Sequence, residues 1–204
     1  YDIVVNDIRR EAGGAHLQAG ASWGDSARKV AEAADVVFTS LPGPKEIEEV
    51  ALAEDGLLAG MRRGTAWFDL STNSPTVVRR LHERFAAKGV AMLDSPVSGG
   101  PAGAKSRKLA LWVSGDKTEF ERHKLVLDAI GDQAMYVGPI GTGTVAKLVH
   151  NTAGYAILAA LAEVFTLGVK AGVEPLALWQ AVRQGAFGRR RTFDRLAEQF
   201  LPGV

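Results

Sequence analysis

The stretch Asp35-Val36-Val37-Phe38-Thr39-Ser40-Leu41 runs into Pro42-Gly43-Pro44 and then into residues 45–53. Its apolar side chains stand on consecutive positions, whereas a strand with one wet face alternates. A strand covered on both faces is therefore expected over 35–41, as in a parallel sheet. Pro and Gly then mark a turn, and residues 45–53 have the spacing of an amphipathic helix. Strand, turn and helix in that order is the repeating unit of an α/β fold.

The unit recurs on either side. Further strands are expected over residues 2–6, 65–70, 90–94, 109–114 and 134–137, and further helices over 26–34, 75–88 and 119–130. Ala66-Trp67-Phe68 repeats the consecutive apolar pattern. Ser74-Pro75 supplies an N-cap followed by Pro at the first helical position, and Gly89 stands where a helix-ending glycine is favoured. Beyond Gly143 strands cease: residues 144–171 contain no Pro and only Gly154 and Gly168 as interruptions, and 175–184 and 192–200 read as two more helices. The expectation is an α/β protein with a doubly wound parallel sheet over 1–142. An all-helical second domain over 143–204 follows, opening with a long interdomain helix.

Composition narrows the class of function. Among 204 residues there is no cysteine, which excludes disulfide staples, a thiolate nucleophile and a zinc ribbon, and suits a reducing, cytoplasmic setting. The 24 Lys+Arg and 23 Asp+Glu leave a net charge of +1, so neither a nucleic-acid-coating surface nor an acidic tail is indicated and the expected partner is a small molecule. The most apolar run, 148–162, is interrupted by His150 and Asn151 and closed by Glu163. It reads as too short and too polar for a membrane span, and as a buried helix. The opening residues Tyr1-Asp2-Ile3-Val4-Val5-Asn6 lack the basic head and small-residue cleavage site of a secretory leader, and a strand at the very start is what a chain continuing upstream would show.

Four groups of residues carry candidate chemistry. Asp7 closes the first strand, where it reads either as an acid that hydrogen-bonds an adenosine ribose or as an Asp that opens a turn. Gly141-Thr142-Gly143-Thr144-Val145-Ala146 has the spacing of a dinucleotide fingerprint, but the strand and acid that should follow about 20 residues on are replaced by one uninterrupted helix, so a tight glycine turn is the better reading. Asp94-Ser95-Pro96-Val97-Ser98-Gly99-Gly100-Pro101 is a strand end running into a loop of small residues. Its backbone N–H groups and the Ser98 hydroxyl suit a carboxylate or phosphate, with a plain loop as the alternative. Lys147 and Asn151 lie four apart on the long helix, one turn apart on a face that continues through Gly154, Leu158 and Leu161. A lysine there either snorkels to solvent from the helix start or transfers a proton to a substrate oriented by the amide.

On Asp35-Val36-Val37 to Leu41-Pro42, Asp69-Leu70-Ser71-Thr72 with Pro75, residues 94–104, and Gly141-x-Gly143-x-x-x-Lys147-Leu148-x-x-Asn151, the chain resembles the β-hydroxyacid dehydrogenase family. That family includes 3-hydroxyisobutyrate dehydrogenase and tartronate semialdehyde reductase, with 6-phosphogluconate dehydrogenase more distant. The resemblance implies a Rossmann-type domain followed by a helical domain, in a homodimer or homotetramer. It implies hydride transfer between NAD and a small 3-hydroxy acid such as 3-hydroxyisobutyrate or glycerate. Lys147 is then the catalytic acid/base, Ser98, Gly99, Gly100 and Asn151 hold substrate, and Leu41, Pro42 and Thr72 line the dinucleotide; no metal is implied. NADP-using relatives often carry Arg after the Asn matching Asn6; Asp7 stands there and favours NAD by repelling a 2′-phosphate, while Arg9 and Arg10 leave NADP open.

Two positions depart from the family: Arg107 replaces a usual Gly, and His150 replaces a second Asn. Measured against the family's usual length, the first strand with its phosphate-binding glycines and the last helices are missing. These departures favour a non-catalytic binding scaffold as the rival reading, whereas retention of Lys147 argues against it. The same lysine argues against an imine reductase, in which it is generally replaced.

Overall fold

A computed structural model of the chain describes residues 1–189, and the helix expected over 192–200 lies outside them. In chain order the elements are β1 (Val4–Val5), α1 (Gly14–Gln18), β2 (Ser22–Trp23), α2 (Ala27–Ala33), β3 (Val36–Thr39), α3 (Pro44–Leu52), α4 (Leu57–Gly60) and β4 (Ala66–Asp69). They continue with α5 (Pro75–Ala87), β5 (Ala91–Asp94), β6 (Val97–Ser98), α6 (Gly100–Ser106), β7 (Ala110–Ser114), α7 (Lys117–Arg122), α8 (Lys124–Ile130), β8 (Gln133–Gly138), α9 (Thr142–Lys170), α10 (Pro175–Gln184) and α11 (Ala186–Arg189). The chain divides into two compact units, Tyr1–His150 and the residues from Asn151 on, so the division falls inside α9.

In the first unit β3, β4 and β5 pair in parallel, with Val37 opposite Trp67 and Trp67 opposite Met92. β7 joins antiparallel to β5 and β6, and β8 pairs parallel with β7. The sheet is thus mixed, not wholly parallel, because β5 and β6 run the same way and the chain reverses after β6, so that β7 returns antiparallel to both. β1 and β2 form a separate parallel pair.

Alternation across the pleat explains the consecutive apolar residues. Trp67 and Met92 pack with Ile47, Leu57, Leu81 and Phe85 on one face, while Phe68 and Leu93 pack with Leu111, Phe120 and Leu127 on the other. Helices thus cover both faces, as the doubly wound reading requires. Each fully buried large side chain contributes about 1.5–3 kcal/mol.

Several local expectations change. The helix expected over 119–130 breaks at His123, with Asp116 capping α7 by accepting from the Thr118 and Glu119 N–H groups. Ser74 is the N-cap of α5, but its side chain makes no capping bond, and Pro75 sits at the first helical position as expected. The small-residue loop after Ser98 becomes α6, since Pro101 near its start and the two alanines, Ala102 and Ala104, favour a helix there. The apolar run read as a buried helix is exposed: Tyr155 is 71% and Leu158 64% accessible. Hydropathy marks side chains that avoid water without saying what covers them. By length and composition alone α9 is long and apolar enough to cross a membrane.

Candidate functional site

The carboxyl ends of β3 and β4 are locked together by a buried acid. Asp69 accepts from Thr39 Oγ1 at 3.0 Å, from the Ser71 N–H at 3.1 Å and from Asn73 Nδ2 at 2.9 Å, and Thr39 Oγ1 in turn accepts from Trp67 Nε1 at 2.9 Å. Burial pushes the Asp69 carboxyl above its ordinary range, and the hydrogen bonds from Asn73, Ser71 and Thr39 pull the other way. The Leu41 N–H donates to Ser71 Oγ at 2.9 Å, so the loops carrying Leu41-Pro42 and Thr72 meet on this edge. Leu41 and Thr72 are half-buried and Pro42 is exposed. Ligands of open α/β sheets bind at such edges, beyond the strand ends.

Asp7 follows β1 and lines a cavity of about 180 Å³ with Val5, Asn6, Ala12, Gly13, His16 and Trp23. Its Oδ1 accepts from the Arg9 N–H at 2.8 Å, the turn-opening bond of the plainer reading, and stands 3.8 Å from Arg9 Nε. The turn-opening bond is thus made, and Asp7 also lines the cavity. Arg10 is engaged elsewhere, its guanidinium 4.9 Å from the centre of the Trp23 ring.

A second buried acid sets the start of α9. Asp94, at the end of β5, accepts from the Gly141 N–H at 2.8 Å, from the Thr144 N–H at 2.6 Å and from Thr144 Oγ1 at 2.9 Å, and also from Ser114 Oγ. Ser114 Oγ itself accepts from the Gly143 N–H at 2.9 Å. These bonds occupy the N–H groups that a pyrophosphate would need, which is the physical reason the Gly141-x-Gly143 spacing is not a dinucleotide loop. Gly141 adopts φ +90°, and a Cβ at Gly143 would collide with the Trp112 carbonyl oxygen, so both positions need glycine.

Lys147 emerges from this anchored end of α9. It is half-buried, its Nζ lies 5.8 Å from the centre of the Trp112 ring, and among the described residues no carboxylate pairs with it. Burial holds its ammonium below the usual lysine range. His150, three residues on, packs its ring 5.1 Å from that of Trp112 and brings Nε2 within 3.3 Å of Ser98 Oγ. Ser98 is half-buried, Gly99 and Gly100 are exposed, and both glycines take positive φ, +131° and +60°. Lys147, His150, Trp112 and Ser98 are thus one cluster. Asn151 is half-buried on α9, one turn beyond Lys147, and belongs to the second unit. Among the described residues no group of His, Asp or Glu is arranged to hold a metal ion.

Sequence reasoning had marked Lys147 and Ser98 but not Trp112, Asp94, Ser114 or Thr144. His150 was marked only as a departure. Trp112 carried no signal beyond an apolar strand position. Asp94 carried one, because an acid ending a buried strand needs donors, and a glycine turn opening a helix offers them.

Comparisons with known proteins bear on the family and the fold. Residues 1–138 match the family described as the NAD binding domain of 6-phosphogluconate dehydrogenase. The chain is 37% identical over 188 residues to the NAD-dependent L-serine dehydrogenase of Pseudomonas aeruginosa, covering 92% of this chain and 63% of that protein. It is 36% identical, with the same two coverages, to the 3-hydroxyisobutyrate dehydrogenase of that organism. The chain therefore spans less than two thirds of the length of these curated relatives. Among solved structures, 3-hydroxyisobutyrate dehydrogenase from Mycobacterium tuberculosis with L-serine is similar at a TM-score of 0.81 and 31% identity, over 89% of this chain and 61% of that one. An imine reductase from Streptomyces aurantiacus superposes at a TM-score of 0.83 with 18% identity, over 100% of this chain and 71% of that one, a likeness of fold alone.

Proposed function

The chain belongs to the β-hydroxyacid dehydrogenase family, and on that premise we propose that the protein oxidises a small 3-hydroxy acid reversibly, with NAD as hydride acceptor. The observation that carries the reading is Lys147: a half-buried lysine without a carboxylate partner among the described residues, clustered with Ser98 through Trp112 and His150. A lysine so placed suits proton transfer at a substrate hydroxyl, since burial lowers its proton affinity from the usual lysine range.

In this reading Lys147 Nζ takes the hydroxyl proton during oxidation and returns it during reduction. The Ser98 hydroxyl and the backbone of Gly99 and Gly100 hold the substrate carboxylate, and the Asn151 amide fixes the hydroxyl by hydrogen bonding. Support for Asn151 is its helical spacing from Lys147. The dinucleotide, when bound, supplies the hydride acceptor. Leu41, Pro42 and Thr72, at the ends of β3 and β4, would line it, and Asp7, beside the 180 Å³ cavity, would hydrogen-bond its adenosine ribose. The donor set fits NAD better than NADP, because Asp7 puts a carboxylate where a 2′-phosphate would lie and Arg9 and Arg10 are already engaged with Asp7 and Trp23.

The absence of cysteine supports a cytoplasmic setting, and the near-zero net charge supports a small-molecule partner rather than a nucleic acid. The relatives' printed substrates, L-serine and 3-hydroxyisobutyrate, are the first acids to test. Lys147→Ala in the full-length protein is expected to lower kcat by about 10²–10⁴-fold while NAD affinity, read by fluorescence titration, stays unchanged. A variant keeping wild-type kcat would sink the assignment.

A further inference from the structure

Trp112 lies in the middle of β7, half-buried, and its indole is shared by two side chains of α9. Lys147 Nζ stands 5.8 Å from the ring centre, and the His150 ring lies 5.1 Å away at 47°. The Trp112 backbone is fixed on both sides, its N–H donating to the Pro96 carbonyl at 3.2 Å and its carbonyl lying against Gly143. An anchored strand thus presents one aromatic face to the first turns of an anchored helix.

We propose that Trp112 is a positioning residue for the reaction: its indole is the floor that shuts water away from one side of Lys147 and keeps His150 on Ser98. The proposal rests on the reading of Lys147 as the acid/base. Two effects of the ring oppose each other. An aromatic face attracts an ammonium and favours its charged form, whereas excluding water disfavours it. Cation–π attraction reaches to about 6 Å, so at 5.8 Å it is near its limit, and burial lowers the proton affinity of Lys147.

The charged and titratable neighbours do not supply that effect unaided. Asp94 on β5 is an acid near the helix start and would favour the charged lysine. Ser98 on β6 and Trp112 on β7 carry no charge, and the His150 ring on α9 is turned to Trp112 and Ser98.

The test reads Lys147 directly in the full-length protein, by competitive acetic anhydride labelling across pH with peptide mass spectrometry. Trp112→Thr, which keeps a good strand former but opens the floor to water, should raise the Lys147 labelling midpoint by about half a pH unit or more. Trp112→Phe should raise it less, and His150→Gln should leave it near the wild-type value. A midpoint unchanged or lowered in Trp112→Thr overturns the proposal, and the same result in Trp112→Phe does so if the threonine variant fails to fold. Because labelling needs no turnover, this outcome is independent of whether Lys147→Ala abolishes kcat.

Discussion

Arg107 ends α6 at φ +58° and ψ +38°, and is the single non-glycine residue with positive φ among the described residues. An L side chain in the left-handed region costs about 1–2 kcal/mol, and glycine there gives back part of the gain through backbone entropy. The usual family glycine at this position therefore has a conformational cause. Arg107→Gly is expected to raise the unfolding free energy by about 0.5–1 kcal/mol in urea titration. If kcat/KM falls as well, the guanidinium serves a substrate; unchanged kinetics mean an exposed side chain that merely tolerates the strain. At this scale the legible residues were those whose type was unusual for their place. Lys147 on an apolar helix and Ser98 before two glycines could be picked out by pattern. Trp112 could not, since a tryptophan on a strand looks like core until the helix that crosses it is known.

The start of α9 shows how far an element can be read. That a long helix begins after Gly143 followed from the absence of Pro and the end of the strand pattern. That it begins where it does depends on Asp94, 47 residues away from Gly141 in the chain. Short elements are missed for a related reason: β2 and β6 have two residues each, too few for a period to declare itself, and α6 has no large apolar side chain to mark one. Gly143→Ala should cost about 2 kcal/mol or more, because its methyl meets the Trp112 carbonyl and Asp94, with Asp94 Oδ2 at 3.1 Å. Gly154→Ala on the same helix meets nothing within 4 Å among the described residues and should instead gain about 0.5–1 kcal/mol. Thermal unfolding of the two variants side by side checks both, and equal effects would deny that the helix start is tightly seated.

For the whole molecule, the two-faced core of the first unit was legible because consecutive apolar strands demand cover on both sides. The fate of the second unit's apolar surface was not, since Tyr155, Leu158, Leu167 and Phe187 are 64–78% accessible. Exposed apolar side chains in this number suit association, as in the homodimer or homotetramer that the family resemblance implies. Sedimentation velocity on the full-length protein should give at least two chains per particle; a monomer across the accessible concentration range would overturn that reading. The bond from Asp94 to the first turn of α9 also governs how such a protein can change in length over generations. An α-helix turns by about 100° per residue. One residue gained or lost between Thr144 and Lys147 would swing the lysine and all that follows it off Trp112, while leaving the anchored end in place. Insertions and deletions can therefore accumulate at the turns, such as the one at Gly64, but that three-residue interval must be inherited intact.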